Sequence, residues 1–185
     1  ELKDHPHWAP WIAKPIGDGK YNKIPKNIVT GKYAETNDPS TFVTFDEACK
    51  AYENGGYDGI GLLLTHDDNL LGIDVDDCMD DESPTAAIAD DIMETLGSYC
   101  EVSPSGTGIR VFAKRGNKHL VIVGNKVDGV EFYTEERFLT VTGDIPGNKP
   151  IKVKRCPKKY KMLHQKYIVE RKKNNATESN LLKAT

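Results

Sequence analysis

The stretch LLGIDVDD, residues 70–77, ends an apolar run in three carboxylates within four positions: Asp74, Asp76 and Asp77. Like charges this close repel, so solvent, a counter-charge or a metal ion must compensate them. Read as a strand, the segment alternates its side chains between two faces. Leu71, Ile73 and Val75 then share one face and Asp74 and Asp76 the other, about 6–7 Å apart. Two carboxylates on one face suit hard divalent cations, which take oxygen ligands. A strand running out into the acidic loop DDCMDDE accounts for the same residues without a metal. An EF-hand is excluded, because its pattern fails at Cys78 and Met79.

EVSPSGTGIRVFAK (101–114) is the second candidate. Small residues between two strands let backbone N–H groups approach an anion closely. The following strand places Arg110, Phe112 and Lys114 on one face, where the two cations could receive phosphate charge. A polar hairpin turn reads the same way. The loop is neither a P-loop nor a dinucleotide fingerprint. The third candidate is GVEFYTEERFLTVTG (129–143). Glu131 and Tyr133 share one face of its first strand, and Arg137 opens its second. Three carboxylates beside a basic, phosphate-reading loop make a set suited to two-metal phosphoryl or nucleotidyl transfer.

The elements that must position these residues are short. HWAPWIAKPIGDGKYNKIP reads as strand pieces joined by turns. VTFDEACKAYENGG reads as a helix with a Thr44/Glu47 capping box and a Phe45–Ala48–Tyr52 stripe. GIGLLL and LLGIDVD, separated by THDDN, read as a hairpin. SPTAAIADDIMETLG reads as a second helix, capped by Ser83, stopped by Gly97, with Ile88, Ile92 and Leu96 buried. GVEFYT and RFLTVTG read as another hairpin. Tyr160, Leu163 and Tyr167 have helical spacing, and NNATESNLLKAT fades into a polar end. The whole reads as a two-layer α+β domain with a largely antiparallel sheet. Residues 1–150 are expected to form the domain, and 151–185 a basic helix or linker.

The chain has 185 residues and a net charge of −3, enough for one domain with a proper core. Residues 151–185 carry 11 Lys/Arg and 2 Asp/Glu, leaving 14 basic and 26 acidic residues for the body. Such a tail suits nucleic acid or another polyanion, and equally a solvated helix. No apolar run approaches the roughly 20 residues of a membrane span, and no secretory signal is read. Four spaced cysteines without a CxxC pair suggest reduced thiols and a cytoplasmic location. HPH at 5–7 and the cysteines lack zinc-ligand spacing. A start at Glu1 is read as a processed chain or a piece of a longer one.

In order and content, GIDVDD, SPSGTGIRVF and GVEFYTEERFLTVTG resemble the three motifs of the archaeo-eukaryotic primase superfamily. The similarity is greatest to the primase–polymerase (prim-pol) domains of phage, plasmid and mobile-element replication proteins, and it covers about residues 7–145. The resemblance implies an N-terminal α/β layer packed on an RRM-like catalytic unit. It implies that Asp74, Asp76 and Glu131 hold two Mg²⁺ or Mn²⁺ ions. Ser103, Ser105, Gly106, Thr107, Gly108 and Arg110 would bind the triphosphate of an NTP or dNTP, joined by Lys114, Arg137, Thr142 and Lys23. The implied partners are a DNA template and primer, and a helicase domain or replication initiator beyond the segment. The basic tail, Lys152, Lys154, Arg155, Lys158 and Lys159, is the expected DNA contact. One departure matters: the family's second motif usually ends in His, and Arg110 stands there. Arginine keeps a phosphate contact but cannot exchange protons near neutral pH. A divalent-metal nuclease or other phosphotransferase, or a catalytically reduced DNA-binding assembly module, are the competing readings.

Overall fold

The computed structural model describes residues 1–116, 120, 122, 125–147 and 149–183. Two antiparallel sheets lie face to face. The first has the order β2-β1-β3-β9, from β1 (Trp8–Gly17), β2 (Lys20–Pro25), β3 (Gly59–Leu64) and β9 (Arg137–Val141). The second has the order β5-β6-β4-β8-β7, from β4 (Leu70–Val75), β5 (Cys100–Val102), β6 (Ile109–Lys114), β7 (Lys126–Val127) and β8 (Val130–Tyr133). The α+β class with antiparallel pairing therefore holds.

Neither expected hairpin forms. β3 and β4 lie in different sheets, as do β8 and β9. The reason is in their composition. Leu62, Leu63 and Leu64 are all fully buried, so both faces of β3 are covered. Such an apolar run is a central strand, with partners on both edges: β3 lies between β1 and β9, and β4 between β6 and β8. The chain changes sheet at residues 65–69 and again at 134–136. In the first crossover the Asp68 carboxylate accepts from Thr65 N at 2.7 Å and from Leu70 N at 3.1 Å. The buried Arg115 guanidinium donates to the carbonyls of Thr65, His66 and Asp68. His66 Nδ1 lies 2.8 Å from Glu135 Oε2, joining the two crossovers.

Three apolar clusters follow from this layering. Between the sheets, Leu70, Phe112 and Tyr133 of the second meet Leu62, Leu64 and Leu139 of the first. Gly72 is required there, because a Cβ would run into Leu139 Cδ1. On the far face of the second sheet, Ile73, Val111 and Phe132 meet Ile88, Ile92 and Leu96 of α2 (Ala86–Leu96). Tyr160 and Leu163 of α3 (Pro157–His164), and Ile168 of the π-helical stretch Gln165–Glu170, complete that cluster. Residues 153–168 thus supply buried core side chains. The chain does not fade after them: α4 (Arg171–Lys183) continues the helix. Ala34 and Phe42 cover the outer face of the first sheet at Ala9 and Leu63.

α1 (Phe45–Glu53) has the expected capping box between Thr44 and Glu47, although Tyr52 is half exposed rather than core. α2 ends at Gly97 in the left-handed conformation, φ 53°. Its start differs from expectation. Thr85 is the N-cap residue, without a side-chain cap bond, and the Ser83 hydroxyl instead donates to the Asp77 carbonyl. The helix starts at Ala86, too far along for Ser83 to cap it, and Ser83 Oγ accepts from Thr85 N at 3.3 Å.

The fully buried Tyr160 hydroxyl lies 3.1 Å from the Gly72 carbonyl and 2.9 Å from the Tyr133 carbonyl. Tyr160→Phe should therefore cost about 1–2 kcal/mol and lower Tm by roughly 3–6 °C in thermal unfolding followed by circular dichroism. An unchanged Tm would mean that this hydroxyl does not help hold α3 on the sheet.

Candidate active site

The register of the second sheet aligns Glu101, Arg110, Asp74, Glu131 and Lys126 in one row across β5, β6, β4, β8 and β7. Residues directly opposite one another share a face, and this face looks toward the first sheet. Asp74 is flanked by a cation on one side and a second carboxylate on the other.

Arg110 is buried. Its Nη2 lies 3.0 Å from Asp74 Oδ1 and its Nη1 2.6 Å from the Thr140 carbonyl of β9, with the Thr140 hydroxyl also in contact. The buried Glu131 carboxylate accepts from Lys126 Nζ and, at 3.2 Å, from Arg137 Nη2. Arg137 also lies over the Tyr133 ring, 4.4 Å from its centroid. Asp76 stands beyond the end of β4, and no hydrogen bond or ion pair is recorded for its carboxylate among the described residues. Its pKa is raised by desolvation and then by the charges of Asp74 and Glu131, with Lys126 opposing. Asp77 has a different job. It takes the left-handed conformation, φ 49°, and its carbonyl accepts from Thr85 Oγ1 at 3.1 Å. Asp tolerates that conformation better than most residues, so the third carboxylate of LLGIDVDD turns the chain away.

The loop 103–108 lies against the same end of β4. A Cβ on Gly108 would sit 2.5 Å from the Val75 carbonyl, so only glycine lets the loop approach Asp76 this closely. Gly106 has φ 76°. The hydroxyls of Ser103, Ser105 and Thr107 form a chain, 2.9 and 3.1 Å apart. Between the sheets a cleft of about 410 Å³ is lined by Lys23, Asp74, Arg110, Arg137 and Thr140, among others. A larger cavity, about 580 Å³ and mostly apolar, lies by Trp8, Trp11, Phe45 and Tyr52. It contains none of the three carboxylates, so chemistry and not size locates the candidate site.

The structure therefore lines the inter-sheet cleft with Asp74, Arg110, Arg137 and Lys23. Glu131 neighbours Asp74 in the row and meets Arg137, while Asp76 and the loop of Ser103, Ser105, Gly106, Thr107 and Gly108 lie together at the adjoining end of β4. Lys114 lies elsewhere: it pairs with Leu70, four residues along β6 from Arg110, about 13 Å away, and its Nζ is 3.6 Å from Glu1. Thr142 faces Glu101 and Val102, donating through N at 3.1 Å and Oγ1 at 2.7 Å. Lys152, Lys154 and Arg155 are exposed beside that remote end, where Lys114 N donates to the Lys154 carbonyl. Lys158 and Lys159 are exposed on α3, on the helix side of the sheet, and Lys159 Nζ donates to the Thr95 carbonyl.

Two residues of the row were not read from the sequence, Lys126 and Glu101. Thr140, read with Thr142 as one threonine face that was either surface or cleft lining, lines the cleft. Glu101 is fully buried and accepts from Tyr99 Oη at 2.8 Å and from the N–H groups of Thr142 and Gly143 at 3.1 Å. Burial pushes its pKa up, while these bonds and Arg110 oppose the rise. Its only sequence signal was an acid placed two residues before SPSG.

The donor set fits hard divalent cations: three carboxylates from neighbouring strands, with Arg110, Lys126 and Arg137 standing in as counter-charge. No protein-family model matches the chain. A curated protein of Nitratiruptor phage NrS-1, named DNA Primase-polymerase, is 29% identical over 148 residues. The match covers 78% of this chain and 20% of that protein. That protein's name belongs to the primase–polymerase class whose three motifs this chain's sequence resembles, and the similarity spans about a fifth of its length.

The Asp76 shift has a definite sign. A carboxyl raised in the folded state binds more protons there than in the unfolded state, so stability falls as pH rises through that window. Metal-free Asp76→Asn should be more stable than wild type at pH 7, by about 1–2 °C in Tm. The difference should vanish as the pH falls below the ordinary carboxylate range. Arg110→Met should do the opposite, losing about 2–4 kcal/mol by leaving Asp74 without its counter-charge; chemical denaturation measures both.

Proposed function

We propose that this chain is the catalytic domain of a DNA-templated nucleotidyltransferase, a primase–polymerase that makes or extends primers when a phage, plasmid or mobile element replicates. The observation that carries the reading is the Arg110–Asp74–Glu131 row, lying beside the Asp76 carboxylate and the 103–108 loop. Homology to a phage primase–polymerase supports it at the level of the class. The chain spans a fifth of that relative's length, so the parent protein would contribute further parts, a helicase or initiator-interacting region among them. The prim-pol layering, with residues 1–150 as catalytic domain and 151–185 leading onward, is part of the same proposal.

In this reading Asp74, Asp76 and Glu131 hold two Mg²⁺ or Mn²⁺ ions. Bound there, such ions lower the pKa of a primer 3′-OH and stabilise the pyrophosphate leaving group. The protein's own cations then change partners. Three carboxylates are now balanced by Arg110, Lys126 and Arg137; divalent cations would release these three toward the phosphates of an NTP or dNTP. Arg110 lies two residues beyond the loop in β6 and bonds Asp74, so a rotation of its side chain would carry it from carboxylate to phosphate. Backbone N–H groups at Gly106–Gly108 and the Ser103, Ser105 and Thr107 hydroxyls would cradle the triphosphate. Lys23 would reach it across the cleft from β2. A guanidinium stays charged and gives up no proton, so Arg110 would orient phosphate rather than move a proton. Lys114 and Thr142 would act through the neighbouring framework. Lys152, Lys154, Arg155, Lys158 and Lys159 would hold the DNA backbone by counterion release, which makes binding salt-dependent. Among the described residues no helix is long and apolar enough to cross a membrane.

A nuclease would use the same carboxylates but would not need the loop. Labelled primer–template, NTPs or dNTPs and Mg²⁺ or Mn²⁺ should give extension products that fall at least 10²-fold in Asp74→Ala/Asp76→Ala and in Glu131→Ala. Template cleavage without nucleotide incorporation would replace the proposal with the nuclease reading. DNA binding with neither reaction would leave an assembly module.

A further inference from the structure

The segment that precedes β1 carries a second cluster of metal-ligating side chains, far from the acidic row. One ligand atom each from His5, His7 and Asp68 lie within 4.8 Å of one another. Sequence spacing spoke against zinc at HPH, because the third group stands 61 positions further on, in the crossover turn between β3 and β4. The fold brings it back. Leu63 N donates to the His7 carbonyl at 2.9 Å, and His5 Nε2 lies 2.7 Å from the Leu63 carbonyl.

The geometry points to a structural site for a divalent transition metal, Zn²⁺ by its ligand chemistry, that staples the N-terminal segment to the turn joining the two sheets. Two imidazoles and one carboxylate are a borderline-soft set, unlike the all-oxygen row at Asp74. His7 Nδ1 is buried with no hydrogen-bond partner, an orphan that a metal bond would satisfy. His5 Nε2 lies 2.7 Å from the Leu63 carbonyl and 3.8 Å from Asp68 Oδ2. With Nε2–H held by that carbonyl, Nδ1 is the nitrogen left to ligate, and the carbonyl fixes the ring as an outer contact. Asp68 Oδ2 also accepts from Thr65 N and Oγ1, and Oδ1 from Leu70 N. A carboxylate has about four lone-pair sites, so capacity remains for a metal. Arg115 is the nearby positive charge, and it donates to the Asp68 carbonyl, not to its carboxylate. Zinc bonds of about 2.0–2.1 Å require ligand atoms roughly 3.4 Å apart, so binding draws the cluster in by at most about 1.5 Å. A solvent molecule would complete four-coordination.

The test uses chelator-treated protein carrying Asp76→Asn, to weaken metal capture in the acidic cleft. Co²⁺ serves as the optical probe and Zn²⁺ as competitor. The expected result is one equivalent of Co²⁺ with an intense, four-coordinate visible band that Zn²⁺ displaces. Zn²⁺ at ~100 times its Kd should raise Tm by about 5–10 °C. His7→Gln and His7→Ala should keep the metal-free Tm yet bind Co²⁺ at least 10-fold more weakly and lose the Zn²⁺-induced rise. A weak, six-coordinate band that both variants retain would show adventitious binding and overturn the site. So would a Tm rise of equal size in wild type and variants.

Discussion

Asp74 gives both carboxylate oxygens to the Arg110 guanidinium while facing Glu131 across the next strand. Much of the inner face is arranged around this contact. Two carboxylates side by side at the inner face of a sheet would repel unless cations met them, and Arg110, Lys126 and Arg137 do so from three different strands. Arg110 must in turn be held, and Thr140 on the opposite sheet holds it. One ion pair therefore ties the sheets together at the point where the chemistry is proposed to occur. It also makes the resting site close to neutral. A site balanced by its own side chains can take up metal and polyphosphate together without a large change in net charge.

The double change of sheet makes that arrangement possible. At the crossover end, Leu64 and Leu139 pack on Leu70 and Tyr133, and the gap between the sheets is filled with apolar side chains. Four residues further along β4 the same gap is lined by Asp74, Arg110 and Thr140, and it opens into the cleft beneath Lys23. With β3 and β9 in the other sheet, β4 has both edges free for β6 and β8, so Asp74 meets Arg110 on one side and Glu131 on the other. Glu101 extends the logic: buried itself, it pins the Thr142–Gly143 backbone beside Arg110.

Much of this was legible from local pattern. Alternation put Arg110 and Phe112 together on one face of their strand, and register makes Asp74 share that face; the Thr44–Glu47 box and the Gly97 stop stand as read. What failed was pairing. GIGLLL and LLGIDVD are compatible with each other as neighbours, and nothing local says that each prefers two other partners. Ser83 was assigned to α2 as its cap, but the helix starts at Ala86, too far along for it. Lys126 could not be picked out, and the hold of Thr140 on Arg110 could not be read, because both come from register and packing across strands. The Arg110–Asp74 pair was hidden likewise. The sequence suggested a phosphate contact for Arg110, and the structure shows the carboxylate it holds.

The most direct test of the central claim is an experimental structure of the protein with Mn²⁺ and a non-hydrolysable nucleoside triphosphate. The account predicts Mn²⁺ bound by Asp74, Asp76 and Glu131, Arg110 rotated from Asp74 onto the triphosphate, and the phosphates against Gly106–Gly108. Nucleotide bound elsewhere, with the Arg110–Asp74 pair intact and no metal between the carboxylates, would contradict it.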